Sequence, residues 1–185
     1  MANKIKRFKN ILIMLLVLLF LIAFFAICNR DFFTTDNLIN ILRQMATIGI
    51  VSVGMTFVIL TGGMDLSVGS IVAFSGVITG FAMVNLGLPI AVAILLGLIA
   101  GVLVGAINGF VIVTFSIPAF VTTLATMQIF QGVCLIITQG MPIFGFPDEF
   151  NFWGKGYVSV IPVPVIIMAA AMIIGWVVLN KLMIM

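Results

Sequence analysis

The sequence predicts an all-α, polytopic membrane protein of about six transmembrane helices. Hydrophobic residues make up 64% of the chain and charged residues 7%, whereas an ordinary soluble domain carries roughly 25% charged residues. The 185 residues are enough for about six spans of roughly 20 residues with short joins. Long apolar runs alternate with short segments that contain glycine, proline or polar residues. We therefore treat residues 1–185 as a single membrane domain.

The first apolar run covers residues 11–28 and follows a basic segment, residues 1–10. A cleaved signal peptide is the competing interpretation. The apolar core of a signal peptide usually has about 7–15 residues and ends in a small-x-small cleavage site. This run is longer and ends at Phe24, Phe25 and Cys28, so an uncleaved first helix is favoured. The positive-inside rule then predicts a cytoplasmic N-terminus.

Five further apolar runs follow the first. They cover residues 44–61, 67–85, 89–109, 118–138 and 163–180. Pro89 and Pro118 open two of them, which suits the first turn of a helix. The two joins expected on the cytoplasmic side are 62–66 and 110–117. Counting crossings from a cytoplasmic N-terminus places the 139–162 loop outside and the C-terminus in the cytoplasm.

Residue content argues against enzymatic chemistry and nucleic-acid binding. The chain contains no histidine, the commonest general base and metal ligand. Cys28 and Cys134 lack metal-ligand spacing, and no P-loop or Ser-His pairing occurs. The net charge is +3, and the basic residues do not form one continuous stripe. We expect no catalytic residue, cofactor or metal, and a lipid bilayer rather than nucleic acid as the surrounding partner.

Glycines recur every fourth residue in the fourth run, at Gly97, Gly101, Gly105 and Gly109. This spacing puts them on one helix face. Because lipid gives helices no hydrophobic reason to associate, small residues that allow close backbone contact drive their packing. The stripe predicts a helix-packing surface, and lining of a translocation path is the alternative.

Asp65 is the one carboxylate embedded between spans, with Gly62, Gly63 and Ser67 as neighbours. The glycines predict a helix break. There, Asp65 is expected to cap the third helix and to face the positive end of its dipole. A gating or coupling role is the alternative. A proton relay is disfavoured, because no second ionisable residue is placed to receive the proton.

The fifth run carries polar side chains at membrane depth: Thr122, Thr123, Thr126, Gln128 and Gln131. Threonine hydroxyls can bond carbonyls of their own helix. Glutamine amides do so less easily and are expected to face the bundle interior or water. Thr122, Thr126 and Gln131 are candidates for a polar lining of the pathway, with helix–helix hydrogen bonding as the alternative.

Three ordered segments carry a family resemblance. Residues 55–70 contain the Gly-Gly-Met-Asp-Leu-Ser run, residues 105–109 read G-x-x-N-G around Asn108, and residues 117–127 read I-P-x-F-V-x-T-L-x-T-M. Residues 140–143 add a fourth match. These segments closely resemble the permease subunits of ribose/xylose/galactoside-type ABC sugar importers, in the first part of a type II importer permease. The resemblance extends over nearly the whole chain from about residue 40.

The resemblance implies a bacterial inner-membrane permease for a ribose-, xylose- or galactose-like monosaccharide. It also implies a second permease subunit, cytoplasmic ABC ATPases that hydrolyse ATP, and an external sugar-binding protein. That binding protein would dock on the outer loops at 29–40 and 139–162. Substrate would pass between the permease subunits by alternating access. The resemblance carries a functional role onto Asp65, Asn108 and Thr122.

The chain departs from this family in charge and in length. It lacks a basic residue in 110–117 and an arginine near Gln131. Family members have about twice as many spans, and a G-R-Y…N-E-x-A-A coupling segment would begin near residue 180. We expect a fragment, an interrupted gene or a half-subunit.

An autonomous channel or secondary carrier and an assembly or structural membrane protein remain the alternative functions.

Overall fold

A computed structural model describes the backbone of residues 2–184. Six of its helices are long and apolar enough to cross a membrane, which confirms the predicted all-α, six-span class. The helices are α1 (Ala2–Cys28), α2 (Thr35–Leu60), α3 (Val68–Gly80), α4 (Ile90–Phe115), α5 (Ala119–Thr138), α6 (Asp148–Lys155) and α7 (Val163–Ile184). A π-helical segment, Phe81–Asn85, continues α3. A small hairpin pairs β1 (Tyr157–Val158) with β2 (Ile161–Pro162).

Two helices extend beyond the apolar runs that predict them. The second helix begins at Thr35, well before the apolar run, because the Thr34 hydroxyl accepts a hydrogen bond from the Asn37 amide (3.4 Å). The fourth helix continues to Phe115, so the join expected at 110–117 is much shorter. It consists of Ser116, in a left-handed conformation (φ 52°), followed by Ile117 and Pro118.

The chain divides into two compact units, Met1–Met45 and Ala46–Met185. The first contains α1 and the beginning of α2. Its turn is held by the Asn37 side-chain amide, which donates to the Phe32 carbonyl (2.7 Å). The rings of Phe25 and Phe32 stack with centroids 6.3 Å apart. These contacts hold the turn that follows α1.

The second unit is organised around α3, which packs against α4 and α5. At Gly97, a Cβ atom would collide with the Thr79 hydroxyl and lie 2.8 Å from the Ser75 carbonyl. At Gly101, it would lie 2.7 Å from the Ser75 hydroxyl. These two glycines therefore allow the α4 backbone to approach α3 closely. The rings of Phe74 and Phe130 join α3 to α5 with centroids 4.7 Å apart.

The other half of the glycine stripe lies in a different environment. A Cβ atom at Gly105 or Gly109 would meet nothing within 4 Å. The residues of the stripe share one helix face, but α3 covers only the part at Gly97 and Gly101.

A buried cluster of Ala82, Met83 and Ala93 closes the end of α3. Phe146 packs on this cluster, and a Cβ atom at Gly80 would lie 3.1 Å from its ring. The ring of Phe146 stacks on that of Phe150 at the start of α6 (5.4 Å). The long segment between α5 and α7 is thus anchored on the bundle by aromatic contacts.

The two halves of the stripe predict opposite effects of the same substitution. Gly97→Ala forces α3 and α4 apart, and such overpacking costs about 1–3 kcal/mol of stability. Gly105→Ala adds a methyl group in open space and gains about 0.5–1 kcal/mol from helix propensity. Unfolding of each purified variant in a detergent–denaturant titration measures the difference. Equal stability of the two variants would contradict the packing described here.

Candidate functional site

The join between α2 and α3 begins with a glycine-dependent helix end. Gly62 adopts a left-handed conformation (φ 77°), which glycine reaches without steric penalty. The Gly62 amide donates to the Ile59 carbonyl (2.9 Å) and the Gly63 amide to the Val58 carbonyl (3.2 Å). This pair of bonds is the Schellman motif, which satisfies the last carbonyls of a helix. The predicted helix break therefore lies at these two glycines.

Asp65 follows and fixes the entry to α3 through Ser67. One oxygen of its carboxylate, Oδ1, accepts hydrogen bonds from the Ser67 amide (2.7 Å) and the Ser67 hydroxyl (2.6 Å). Ser67 itself occupies the N-cap position of α3. The expectation that Asp65 caps the helix directly needs correction, because its side chain reaches only the amide two residues ahead, as in an Asx-turn.

The bonds continue from Ser67 into α4 and α5. The Asn108 side-chain amide donates to the Ser67 hydroxyl oxygen (2.9 Å), and the Thr126 hydroxyl donates to the Asn108 side-chain oxygen (2.6 Å). Ser67, Asn108 and Thr126 are all buried. The donors run in one direction, from Thr126 through Asn108 and Ser67 to Asp65. We call these four residues the Asp65–Thr126 network.

Thr123 provides a second link between the join and α5. Its hydroxyl oxygen accepts a hydrogen bond from the Leu66 amide (3.2 Å), and its hydroxyl donates to the Ala119 carbonyl (2.8 Å). The side chain is 2% exposed. Sequence reasoning named Thr123 among the polar residues of the fifth run but selected Thr122 and Thr126. Thr122 and Thr123 are adjacent on one helix, and the sequence does not indicate which of the two side chains faces the α2–α3 join.

The remaining candidates lie outside the network. The Thr122 hydroxyl is buried and has no hydrogen-bond partner among the residues that the structure describes. Gln131 is exposed on α5. Of the pathway candidates, the structure thus brings Asn108 and Thr126 together and leaves Thr122 and Gln131 apart from them.

A cavity of about 740 Å³ opens beside the network. It lies between the α2–α3 join, the last turns of α4 and the start of α5. Its polar and glycine lining includes Gly62, Asp65, Gly105, Asn108, Gly109 and Ser116. A carboxylate, an amide and a hydroxyl at its wall can bind a hydroxyl-rich solute or ordered water. Within the described part of the chain, no group of three or more His, Cys, Asp or Glu side chains is arranged to hold a metal ion.

Residues 37–182 match the model of a family described as the permease component of the branched-chain amino acid transport system. The chain belongs to this permease family. The matched range contains the α2–α3 join, the whole Asp65–Thr126 network and the cavity. Together with the six apolar helices, this membership places the chain in the cell membrane as a multi-pass protein.

Curated relatives of this chain include sugar import permeases. The chain is 43% identical over 169 residues to the ribose import permease protein of Haemophilus influenzae, covering 89% of this chain and 52% of the relative. It is 44% identical over 166 residues to the ribose import permease protein of Bacillus subtilis, covering 89% of this chain and 51% of the relative. It is also 33% identical over 149 residues to the xylose transport system permease protein of Escherichia coli, covering 80% of this chain and 38% of the relative. The chain thus spans about half the length of the two ribose import permease proteins and less of the xylose relative. No solved structure matches it.

Two threonines one helical turn apart give a direct test of the network. Thr126→Val removes the donor to Asn108 and leaves a buried amide oxygen without a partner, so we expect a loss of about 1 kcal/mol. Thr122→Val removes a hydroxyl that has no partner, which is nearly neutral or stabilising. Both changes preserve the shape of the side chain. Unfolding of the purified variants in detergent measures the free energy lost by each. A larger loss for Thr122→Val than for Thr126→Val would contradict the assigned bonds.

Proposed function

We propose that the chain is the transmembrane permease component of an ABC importer for a ribose-, xylose- or galactose-like monosaccharide. A separate cytoplasmic ATPase supplies the energy, an external binding protein delivers the sugar, and a second permease subunit completes the translocation path. The chain contributes the first half of such a permease and acts with the remaining spans.

One observation carries this proposal. The three sequence segments that resemble sugar permeases are far apart in the chain, yet Asp65, Asn108 and Thr126, one from each, belong to a single hydrogen-bonded network. Identity to ribose import permease proteins extends across all three segments. The network thus joins the three segments on which the resemblance to sugar permeases rests, which supports a common role for them at this end of the bundle.

The network suggests how the permease would work at that end. With a cytoplasmic N-terminus, the α2–α3 join and the cavity face the cytoplasm, where the ATPase binds. Ser67 connects the join to α4 through Asn108, and Asn108 connects α4 to α5 through Thr126. Movement of the join is therefore transmitted to three spans as one body. Asp65 acts as a positioning residue in this coupling, since its carboxylate holds Ser67.

A chimera tests the proposal independently of the chain's length. This chain replaces the matching part of the Bacillus subtilis ribose import permease in a strain that lacks its own. We expect uptake of labelled ribose that depends on the ATPase and on the binding protein. A chimera that reaches the membrane at the normal level without restoring uptake contradicts the proposal. Uptake that persists without the ATPase indicates a carrier instead.

Substitutions of Asp65 test the coupling role in the same chimera. Asp65→Ala removes the acceptor for both Ser67 bonds, which is expected to destabilise the join by about 1 kcal/mol and to reduce ribose uptake. Asp65→Asn keeps an oxygen acceptor and should retain most of the uptake. The initial uptake rate, normalised to the amount of chimera in the membrane, is the measurement. Normal uptake by Asp65→Ala would remove Asp65 from the coupling mechanism.

A further inference from the structure

A second cavity lies at the far end of α3 from the Asp65–Thr126 network. Its volume is about 350 Å³, and small-molecule sites in proteins typically have about 300–1,000 Å³. It lies between the π-helical segment, the last turn of α5 and the extended chain that follows α5. We call it the π-segment cavity. Its walls include the polar residues Asn85, Thr138 and Gln139 and the apolar residues Phe81, Met141 and Phe144.

The polar groups in the cavity wall are uncharged and available for hydrogen bonding. The side-chain amides of Asn85 and Gln139 make no hydrogen bond within the described part of the chain, whose side chains are those of residues 9 and 11–181. Each amide offers two donor hydrogens and an acceptor oxygen. The Thr138 hydroxyl donates to the Cys134 carbonyl (2.9 Å) and keeps its oxygen as an acceptor. None of the described residues that line the cavity has an ionisable side chain.

Gln139 has a backbone conformation that glycine adopts at lower cost. It ends α5 in the left-handed region (φ 53°), and Gly140 follows in the same region (φ 72°). The Gly140 amide donates to the Leu135 carbonyl (3.1 Å), which completes the helix end. A residue with a Cβ atom is strained there. Such strain is concentrated at ligand-binding and active sites, so we attribute the glutamine to a use of its side chain.

The opposite wall is formed by an irregular turn. Phe81–Asn85 is π-helical, and the Leu86 amide donates to the Phe81 carbonyl (3.2 Å). Single π turns inside α-helices occur frequently at functional sites. Phe81, Val84 and Asn85 all line the cavity, so this turn contributes three side chains to one wall. Two departures from regular helix therefore meet at the same cavity.

The cavity lies where two spans end. Asn85 is the last residue of the α3 span, and Gln139 directly follows Thr138, the last residue of the α5 span. Both Asn85 and Gln139 are exposed. The cavity is thus reached from the aqueous surface and not through hydrocarbon, so a solute that binds there arrives dissolved in water.

We propose that the π-segment cavity binds one neutral monosaccharide. Sugar hydroxyls both donate and accept hydrogen bonds, as the amides of Asn85 and Gln139 do. Phe81 and Phe144 present apolar surface, which suits the C–H face of a sugar ring. A charged solute would lose hydration without gaining an ion pair, because no ionisable side chain among the described residues lines the cavity. The same reasoning disfavours a free amino acid, whose ammonium and carboxylate groups both need partners.

This inference deepens the proposed function and rests on it only for the choice of sugars. With a cytoplasmic N-terminus, the cavity opens on the outer side, where the external binding protein would release its sugar. Binding to the cavity and ribose uptake by the chimera are separate measurements. Uptake without binding would refute the cavity site alone, whereas binding without uptake would leave the cavity site intact and refute the importer.

Protection of an introduced cysteine from alkylation tests the site in the 185-residue chain. Cys28 and Cys134 are first replaced by alanine. Met141→Cys places a thiol in the cavity wall, and Val160→Cys places one outside the cavity, also between α5 and α7; the native side chains are 68% and 79% exposed. Open membrane fragments expose both faces to a water-soluble maleimide, so the result does not depend on orientation. Ile137→Cys serves as a second reporter in the cavity wall.

D-ribose, D-xylose and D-galactose are the probes. A site with a Kd of about 50 mM or lower makes alkylation of Met141→Cys at least about threefold slower in about 100 mM sugar. We expect this slowing with at least one of the three sugars and no change at Val160→Cys. L-leucine at the same concentration should not protect, because its charges have no partners in the cavity.

Gln139→Gly separates the amide from the fold. Glycine adopts the left-handed conformation without steric penalty, so the helix end is kept while the amide is lost. We expect sugar to bind about fivefold more weakly, measured by the concentration that halves the alkylation rate of Met141→Cys. The matched control, Gln128→Leu, removes an exposed amide of α5 that does not line the cavity and should leave this concentration unchanged.

Three results would overturn the proposal. The first is sugar protection that is equal at Met141→Cys and Val160→Cys or absent from both cavity reporters. The second is protection by L-leucine and by none of the sugars, since the ligand would then be zwitterionic. The third is unchanged sugar binding by Gln139→Gly, because the polar wall would then make no contact with the sugar.

Discussion

The need to satisfy polar groups away from bulk water governs the interior of this membrane protein. Asn108 lies on a helix that is otherwise almost entirely apolar, and its side chain is 5% exposed. Its amide donates to Ser67 at the start of α3, and its oxygen accepts from Thr126 on α5. Burying an amide without hydrogen-bond partners is costly, and the hydrocarbon of a bilayer supplies none. Asn108 therefore fixes where three helices meet, and the α2–α3 join takes its position from that meeting point.

The glycines of α4 show how packing and open space are divided along one helix. Gly97 and Gly101 remove the side chains that would otherwise separate α4 from α3. Gly105 and Gly109 border the cavity beside Asn108. The same residue type thus gives tight van der Waals contact at one end and leaves volume at the other. The difference follows from what lies opposite each glycine, which is set by how α3 crosses α4.

The sequence was sufficient to predict the six spans, because hydropathy depends on composition over a long window rather than on tertiary contacts. It also located the break at Gly62 and Gly63, where backbone conformation requires glycine. It did not predict the Asx-turn at Asp65 or the link from Thr123 to Leu66, since these depend on which face of α5 meets the join. The end of α4 was misplaced because Asn108 and Gly109 resemble a helix terminus until Asn108 is seen to have partners on α3 and α5.

The π-helical segment at Phe81–Asn85 has a consequence for how α3 can change during evolution. The hydrogen bonds of a π turn join residues five apart instead of four, as between the Leu86 amide and the Phe81 carbonyl (3.2 Å), so the turn holds one more residue and changes the angular phase of the side chains. The contacts that Ser75 and Thr79 make with α4 lie before the π-helical segment, whereas Ala82 and Met83, on which Phe146 packs, lie within it. The insertion therefore uncouples the two contact surfaces. Each can keep its own rotational setting while the other is altered.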